Sequence, residues 1–375
     1  MTSSNRRDIS IPASLLPADG RFGCGPSKVR PEAVRALADV GQSYLGTSHR
    51  QEPVRAVVRS VRAGLTSLFG LPDGWEIVLG NGGSTAFWDI ATFGLIERQS
   101  QHLVFGEFSS KFAAAAAAAP QIDAPELIES APGTHPMPVA RDEVDVYALT
   151  HNETSTGVAM ALTRPTGSDG LVVVDATSAA GGLRWAPHEV DVYYFAPQKC
   201  FSSDGGLWIA ACSPAAIARI GHIKASGRWC PASLDLTIAL ENSRLDQTYN
   251  TPALATLFLL DQQLQWMNGS GGLEFAASRS DESASLLYGW AEKASYASPF
   301  VADPAQRSAV VGTIDLGGVD ATAVSAALRD NGIVDTDSYR KLGRNQLRIG
   351  MFPSVDPSDV EALTQCIDWV VERLK

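Results

Sequence analysis

Short apolar runs closed by small or acidic residues alternate along most of this chain with stretches whose apolar residues recur at helical spacing. Leu171 to Val174 is apolar, β-branched and followed by Asp175, which predicts a parallel strand buried on both faces with the acid at its carboxyl end. Asp191 to Phe195 predicts a second such strand, and Lys199 follows it in a turn of small residues. WEIVLG predicts a strand that runs through a glycine-rich turn into a helix, and HLVFG a strand before a helix carrying the alanine run Ala113 to Ala119. VDVYALT is a strand that ends abruptly in the polar cluster HNETSTG, and Val54 to Phe69 has the spacing of an amphipathic helix. A helix also opens near Pro31, and Thr251 with Pro252 reads as the cap and first turn of another.

The rhythm changes near Gly269. Ala309 to Leu316 and Gln346 to Phe352 predict strands, Ala321 to Leu328 and Val360 to Leu374 helices. The expected architecture is therefore α/β. It has a polar, flexible leader over 1–20, a large domain over 21–268 with a mostly parallel central sheet flanked by helices, and a smaller C-terminal α/β domain over 269–375. At 375 residues and 45% apolar content the chain can bury a core of that size.

A net charge of −11 argues against a nucleic-acid partner or an anionic membrane. No apolar run is long enough to span a bilayer, and Asp8, Pro12, Pro17 and Asp19 interrupt any signal-like stretch, so a cytoplasmic location is expected. Five scattered cysteines form neither a disulfide framework nor a zinc motif. Cys200 beside Lys199 reads as a packing residue.

Asp175 and Lys199 stand at the sheet edge where ligands of open α/β folds collect. Pyridoxal phosphate chemistry needs such a pair. A lysine amine forms a Schiff base with the cofactor aldehyde, and an aspartate keeps the ring nitrogen protonated. Burial lowers the lysine pKa and favours the free amine. Either residue alone reads more readily as an ordinary turn cap or a surface lysine; it is the two together that point to this chemistry. The turn Gly80-Asn81-Gly82-Gly83-Ser84-Thr85 offers backbone N–H groups and two hydroxyls at a helix N-terminus, a cradle for phosphate that is neither GxGxxG nor a P-loop. Arg348 is a charge inside an apolar strand, where it needs a partner.

Taken together, DATSAAGG, APQKCF, HNETSTG, YNTP and FGCGPSKV resemble class V of the fold type I, pyridoxal-phosphate-dependent aminotransferases, and within it the phosphoserine aminotransferase family. The resemblance covers nearly the whole chain. It implies exchange of an amino group between O-phosphoserine or glutamate and the matching 2-oxo acids in serine biosynthesis, with a related substrate of pyridoxine synthesis left open. It implies catalytic roles for Lys199 and Asp175, and cofactor contacts from Ser84, Thr85, Phe108, Thr154 and Gln198. Asn250 and Thr251 would cross to the partner's cofactor in a homodimer, while His49, Arg50, Arg344 and Arg348 would hold substrate. Asn152 and Glu153 would shape their turn. Thr85 stands where relatives often carry arginine, which shifts phosphate recognition to other cations, with Arg344 beside Lys341 the nearest supply. An alanine–glyoxylate type transaminase of the same class, and a non-catalytic cofactor-binding module, remain the alternatives.

Overall fold

A computed structural model describes residues 9–374. Its centre is a seven-stranded sheet. In chain order the strands are β1 (Glu76–Asn81), β2 (Ser100–Val104), β3 (Glu126–Glu129), β4 (Val146–Thr150), then after a small hairpin of β5 (Asn152–Glu153) and β6 (Val158–Ala159) come β7 (Leu171–Asp175), β8 (Val192–Phe195) and β9 (Leu207–Cys212). Their spatial order is β1-β9-β8-β7-β4-β2-β3, and β9 alone opposes its neighbours. The sheet thus is mostly parallel, as its uninterrupted apolar strands predict.

Alternation along β7 shows why those runs are apolar throughout. Val172 and Val174 pack with helices α2 (Glu52–Phe69) and α7 (Leu254–Gly269), whereas Leu171 and Val173 join the opposite cluster. That second layer is built from α3 (Ser84–Gly94), α4 (Glu107–Ala118), α5 (Pro214–Ala225) and α6 (Leu236–Arg244). Successive side chains of a strand point to opposite faces, so a strand covered on both sides has no polar positions to spare. The helix α1 (Pro31–Tyr44) packs outside α7 through Tyr44 and Phe258, whose rings lie 5.6 Å apart.

A separate antiparallel sheet, β10 (Ala297–Pro299), β11 (Val311–Leu316) and β12 (Gln346–Gly350), carries its own apolar cluster with α8 (Gly272–Ala291), α9 (Ala321–Asp330) and α10 (Pro357–Leu374). The expected flexible leader needs correction from residue 9 onward. Ile9, Ile11, Leu15 and Leu16 pack on that second cluster, and Asn331 Oδ1 accepts the Ile11 N–H at 2.9 Å. Ile11 is buried there and Ile9, Leu15 and Leu16 are partly buried, which the polar average of the segment hides; residues 1–8 lie outside the described residues. A second correction concerns Thr251. It caps no helix, because α7 begins at Leu254 with Ala253 before it. The Thr251 hydroxyl meets His49 Nδ1 at 3.2 Å and its carbonyl accepts from Asn81 Nδ2 at 2.9 Å, which spends its polar groups elsewhere.

Candidate active site

The carboxyl ends of β1, β2, β4, β7 and β8 converge on one cavity of about 320 Å³. Ser84 and Thr85 reach it from the start of α3, Phe108 from the start of α4, Asn152 and Thr154 from the hairpin of β5 and β6, Asp175 from β7, and Gln198 and Lys199 from the turn after β8. Register explains the convergence: Thr150 pairs with Asp175, and Asp175 with Tyr194, so parallel neighbours end at one level.

Lys199 is half-buried and donates from Nζ to the Cys24 carbonyl at 2.6 Å. Burial lowers its pKa from the ordinary 10.5 to about 8, and the positive charge of Arg348 acts the same way. Near neutral pH a usable fraction of the amine is therefore unprotonated, the form that attacks a carbonyl. Gly25 is what allows the approach. A Cβ there would lie 1.7 Å from Lys199 Nζ, and its φ of +138° is one that side-chain-bearing residues avoid.

Asp175 is buried and saturated. Oδ2 accepts from Trp88 Nε1 and the Tyr194 hydroxyl, both at 3.1 Å, while Oδ1 accepts the Thr177 N–H at 2.9 Å and its hydroxyl at 2.6 Å. These donors fix the carboxylate's orientation. Glu153 is the larger surprise. It is fully buried, and it accepts from the Ser109 N–H at 2.9 Å, the Phe108 N–H at 3.1 Å and the Ser155 hydroxyl at 2.7 Å. The Glu153 side chain thus caps α4 from the distant hairpin of β5 and holds the backbone of Phe108. His151, also buried, has its pKa pushed down to about 3 by desolvation and shares a 2.9 Å hydrogen bond with the Tyr193 hydroxyl as a neutral ring.

A second cavity of about 540 Å³ shares Gly25 with the first and is lined by Arg348, Tyr339, Arg340 and Lys341 among others. Arg348 Nη1 donates to the Thr154 carbonyl at 3.2 Å, which ties β12 to the loop after β4. The remaining predicted substrate residues lie apart. Arg344 is held by Asp315 at 3.1 Å and stacks on Phe300, 4.6 Å from the ring centre, rather than lining either cavity. His49 is buried beside Thr251, whereas Arg50, Asn250 and Thr251 are exposed, and none of the four lines either of these two cavities.

The profile of the family "Aminotransferase class-V" matches residues 22–337. The chain is 62% identical over 370 residues to a phosphoserine aminotransferase of Nocardioides sp., covering 98% of this chain and 99% of the relative. The chain belongs to the class-V aminotransferase family. A phosphoserine aminotransferase structure from Cytophaga hutchinsonii superposes on this aminotransferase with a TM-score of 0.87 at 23% identity, covering 93% of this chain and 99% of the other. A pyridoxal-phosphate-bound phosphoserine aminotransferase from Trichomonas vaginalis does so with a TM-score of 0.78 at 17% identity, covering 93% and 99%.

The residues present in this aminotransferase fit the cofactor its family implies. Gln198 and Asn152 each line the first cavity with a buried side-chain oxygen that lacks a protein partner. Such atoms cost free energy unless a ligand or water satisfies them. Sequence reasoning missed Gly25, Trp88, Thr177, Tyr194 and Tyr339. Only Gly25 carried a local signal, as the Gly-Pro turn in FGCGPSKV; the others read as ordinary core or loop residues.

Proposed function

We propose that this class-V transaminase is a pyridoxal-phosphate-dependent phosphoserine aminotransferase, moving an amino group between O-phospho-L-serine and 2-oxoglutarate to give 3-phosphohydroxypyruvate and L-glutamate. The observation that carries the reading is the meeting of Lys199, Asp175 and Arg348 around two cavities joined at Gly25. When bound, pyridoxal phosphate supplies an electron sink for the carbanion left by loss of the α-proton.

The chain's own groups supply the rest. Lys199 Nζ binds the cofactor and takes and returns the α-proton, for which an amine with pKa about 8 is well matched. Asp175 holds positive charge at the ring nitrogen. Ser84, Thr85, Gln198 and the start of α3 would hold the cofactor's phosphate, Phe108 would cover its ring, and Thr154 would meet its phenolic side, since all of them line the one cavity. Arg348 grips the substrate α-carboxylate with its planar fork. Its buried Nε has no protein partner, as a group kept for a ligand should. Because Arg344 is paired with Asp315, Arg340 is better placed to meet a substrate phosphate: it lines the second cavity and has no ion pair among the described residues.

A homodimer belongs to the same proposal, with Asn250 and Thr251 reaching the partner's site. It is supported by their exposure and by Leu45, Leu245 and Tyr249, exposed apolar residues of the same region. We also assign residues 21–268 and 269–375 to large and small domains, the chain from residue 9 packing on the smaller, and a cytoplasmic place in serine biosynthesis. A reducing compartment suits five unpaired cysteines. Among the described residues no helix is long and apolar enough to cross a membrane. Incubation of pure protein with glutamate and 3-phosphohydroxypyruvate should release 2-oxoglutarate. Preferred turnover of alanine with glyoxylate would overturn the substrate assignment, and a related phosphorylated substrate of pyridoxine synthesis is tested by the same competition.

A further inference from the structure

The segment after Thr336 touches the large sheet's layer at two points. Tyr339 lies with its ring centre 6.2 Å from that of Phe108, tilted by 53°, and Lys341 Nζ pairs with Glu107 Oε1. Glu107 and Phe108 open α4, whose first turn is fixed by buried Glu153. The Tyr339 ring also carries the Arg348 guanidinium, 5.2 Å from the ring centre. Arg348 is otherwise held through one nitrogen, by the Thr154 carbonyl, and its buried Nε has no partner. A long side chain with one hydrogen bond keeps much of its rotamer freedom, and a guanidinium lying on an aromatic face loses that freedom before a ligand arrives.

We propose that Tyr339 is a positioning residue for carboxylate binding. Its ring sets the plane of the Arg348 guanidinium and relays the position of Phe108 to it, with the Lys341–Glu107 pair tethering the segment. The inference rests on the reading of Arg348 as the α-carboxylate site. A ring face is required and the hydroxyl is not, because the hydroxyl makes no hydrogen bond to Arg348.

The experiment compares Tyr339→Phe, Tyr339→Leu and Tyr339→Gln in the holoenzyme. Binding of glutarate, a dicarboxylate with no amino group to react, is measured by calorimetry beside kcat and KM for glutamate. Tyr339→Phe should match the parent within about twofold. Both non-aromatic variants should weaken glutarate and raise KM by roughly threefold to thirtyfold, the range of a partly desolvated cation–π contact, with kcat nearly unchanged. Unchanged glutarate affinity in a folded non-aromatic variant overturns the proposal, as does an equal loss in Tyr339→Phe. If the parent protein binds no glutarate while turning over glutamate, the carboxylate site is elsewhere and the inference falls with it. Failure of the phosphoserine assignment alone would leave the glutarate comparison intact, so the two outcomes are distinguishable.

Discussion

The strand ends of the large sheet and the loop over 335–345 with the adjoining strand β12 both supply side chains to the two cavities, but they hold them differently. At the strand ends the charged groups are spent on short, buried contacts: Asp175 takes four donors from residues 88, 177 and 194, and Glu153 caps α4. In the loop the charges meet on the surface, Lys341 with Glu107 and Arg344 with Asp315, and Arg348 of β12 keeps an unpartnered nitrogen. Exposed ion pairs contribute little, about 0–1 kcal/mol, and exchange readily for a stronger anion. On the proposed assignment the cofactor side is thus preorganised by the fold, whereas the substrate side is assembled from contacts that a ligand can replace.

The strongest blow to this contrast should fall on the sheet side. Lys199→Ala loses both the attachment point and the proton carrier, and turnover should drop more than about 10⁴-fold while far-UV circular dichroism is retained. Turnover within tenfold of the parent would remove Lys199 from the chemistry.

A milder perturbation is pH. With a pKa of about 8, each pH unit below that value cuts the free amine about tenfold, so cyanoborohydride labelling of the cofactor-free protein by a small aldehyde should fall roughly fiftyfold from pH 8 to pH 6. The sign for stability follows from the same lowering. Between about 8 and 10.5 the folded chain binds fewer protons at Lys199 than the unfolded chain, so this group's contribution rises with pH across that window. Labelling that is half-maximal only near pH 10.5 would show that burial does not tune the amine.

On the substrate side, Arg348→Ala should lower kcat/KM about tenfold to a hundredfold for phosphoserine and glutamate alike, since both carry an α-carboxylate. The smallest effect should come from Arg344→Ala. Its exposed pair with Asp315 is worth little, and the ratio of kcat/KM for phosphoserine to that for glutamate should change by less than about threefold. A tenfold fall in that ratio would mean that Arg344 leaves Asp315 for the substrate phosphate, which sharpens the contrast rather than removing it.

Periodicity and short motifs by themselves determined the class of the fold, the strands β7 and β8, and the placing of Asp175 and Lys199 at one edge of the sheet, where both line one cavity. The reason is that buried parallel strands must be apolar along their whole length, so the first polar residue after each one marks the ligand edge. What sequence spacing did not carry was long-range: the Cys24 carbonyl and Gly25 against Lys199, Glu153 capping α4, Tyr339 between Phe108 and Arg348, and Arg344 turned to Asp315. Apart from the Tyr339–Arg348 contact, each joins residues dozens to hundreds of positions apart, and local propensity contains no term for such contacts. Thr251 shows the same limit in reverse. Its Thr-Pro signal is a sound local reason to start a helix, and His49 and Asn81, brought beside it only by folding, claim its polar groups and leave α7 to begin at Leu254.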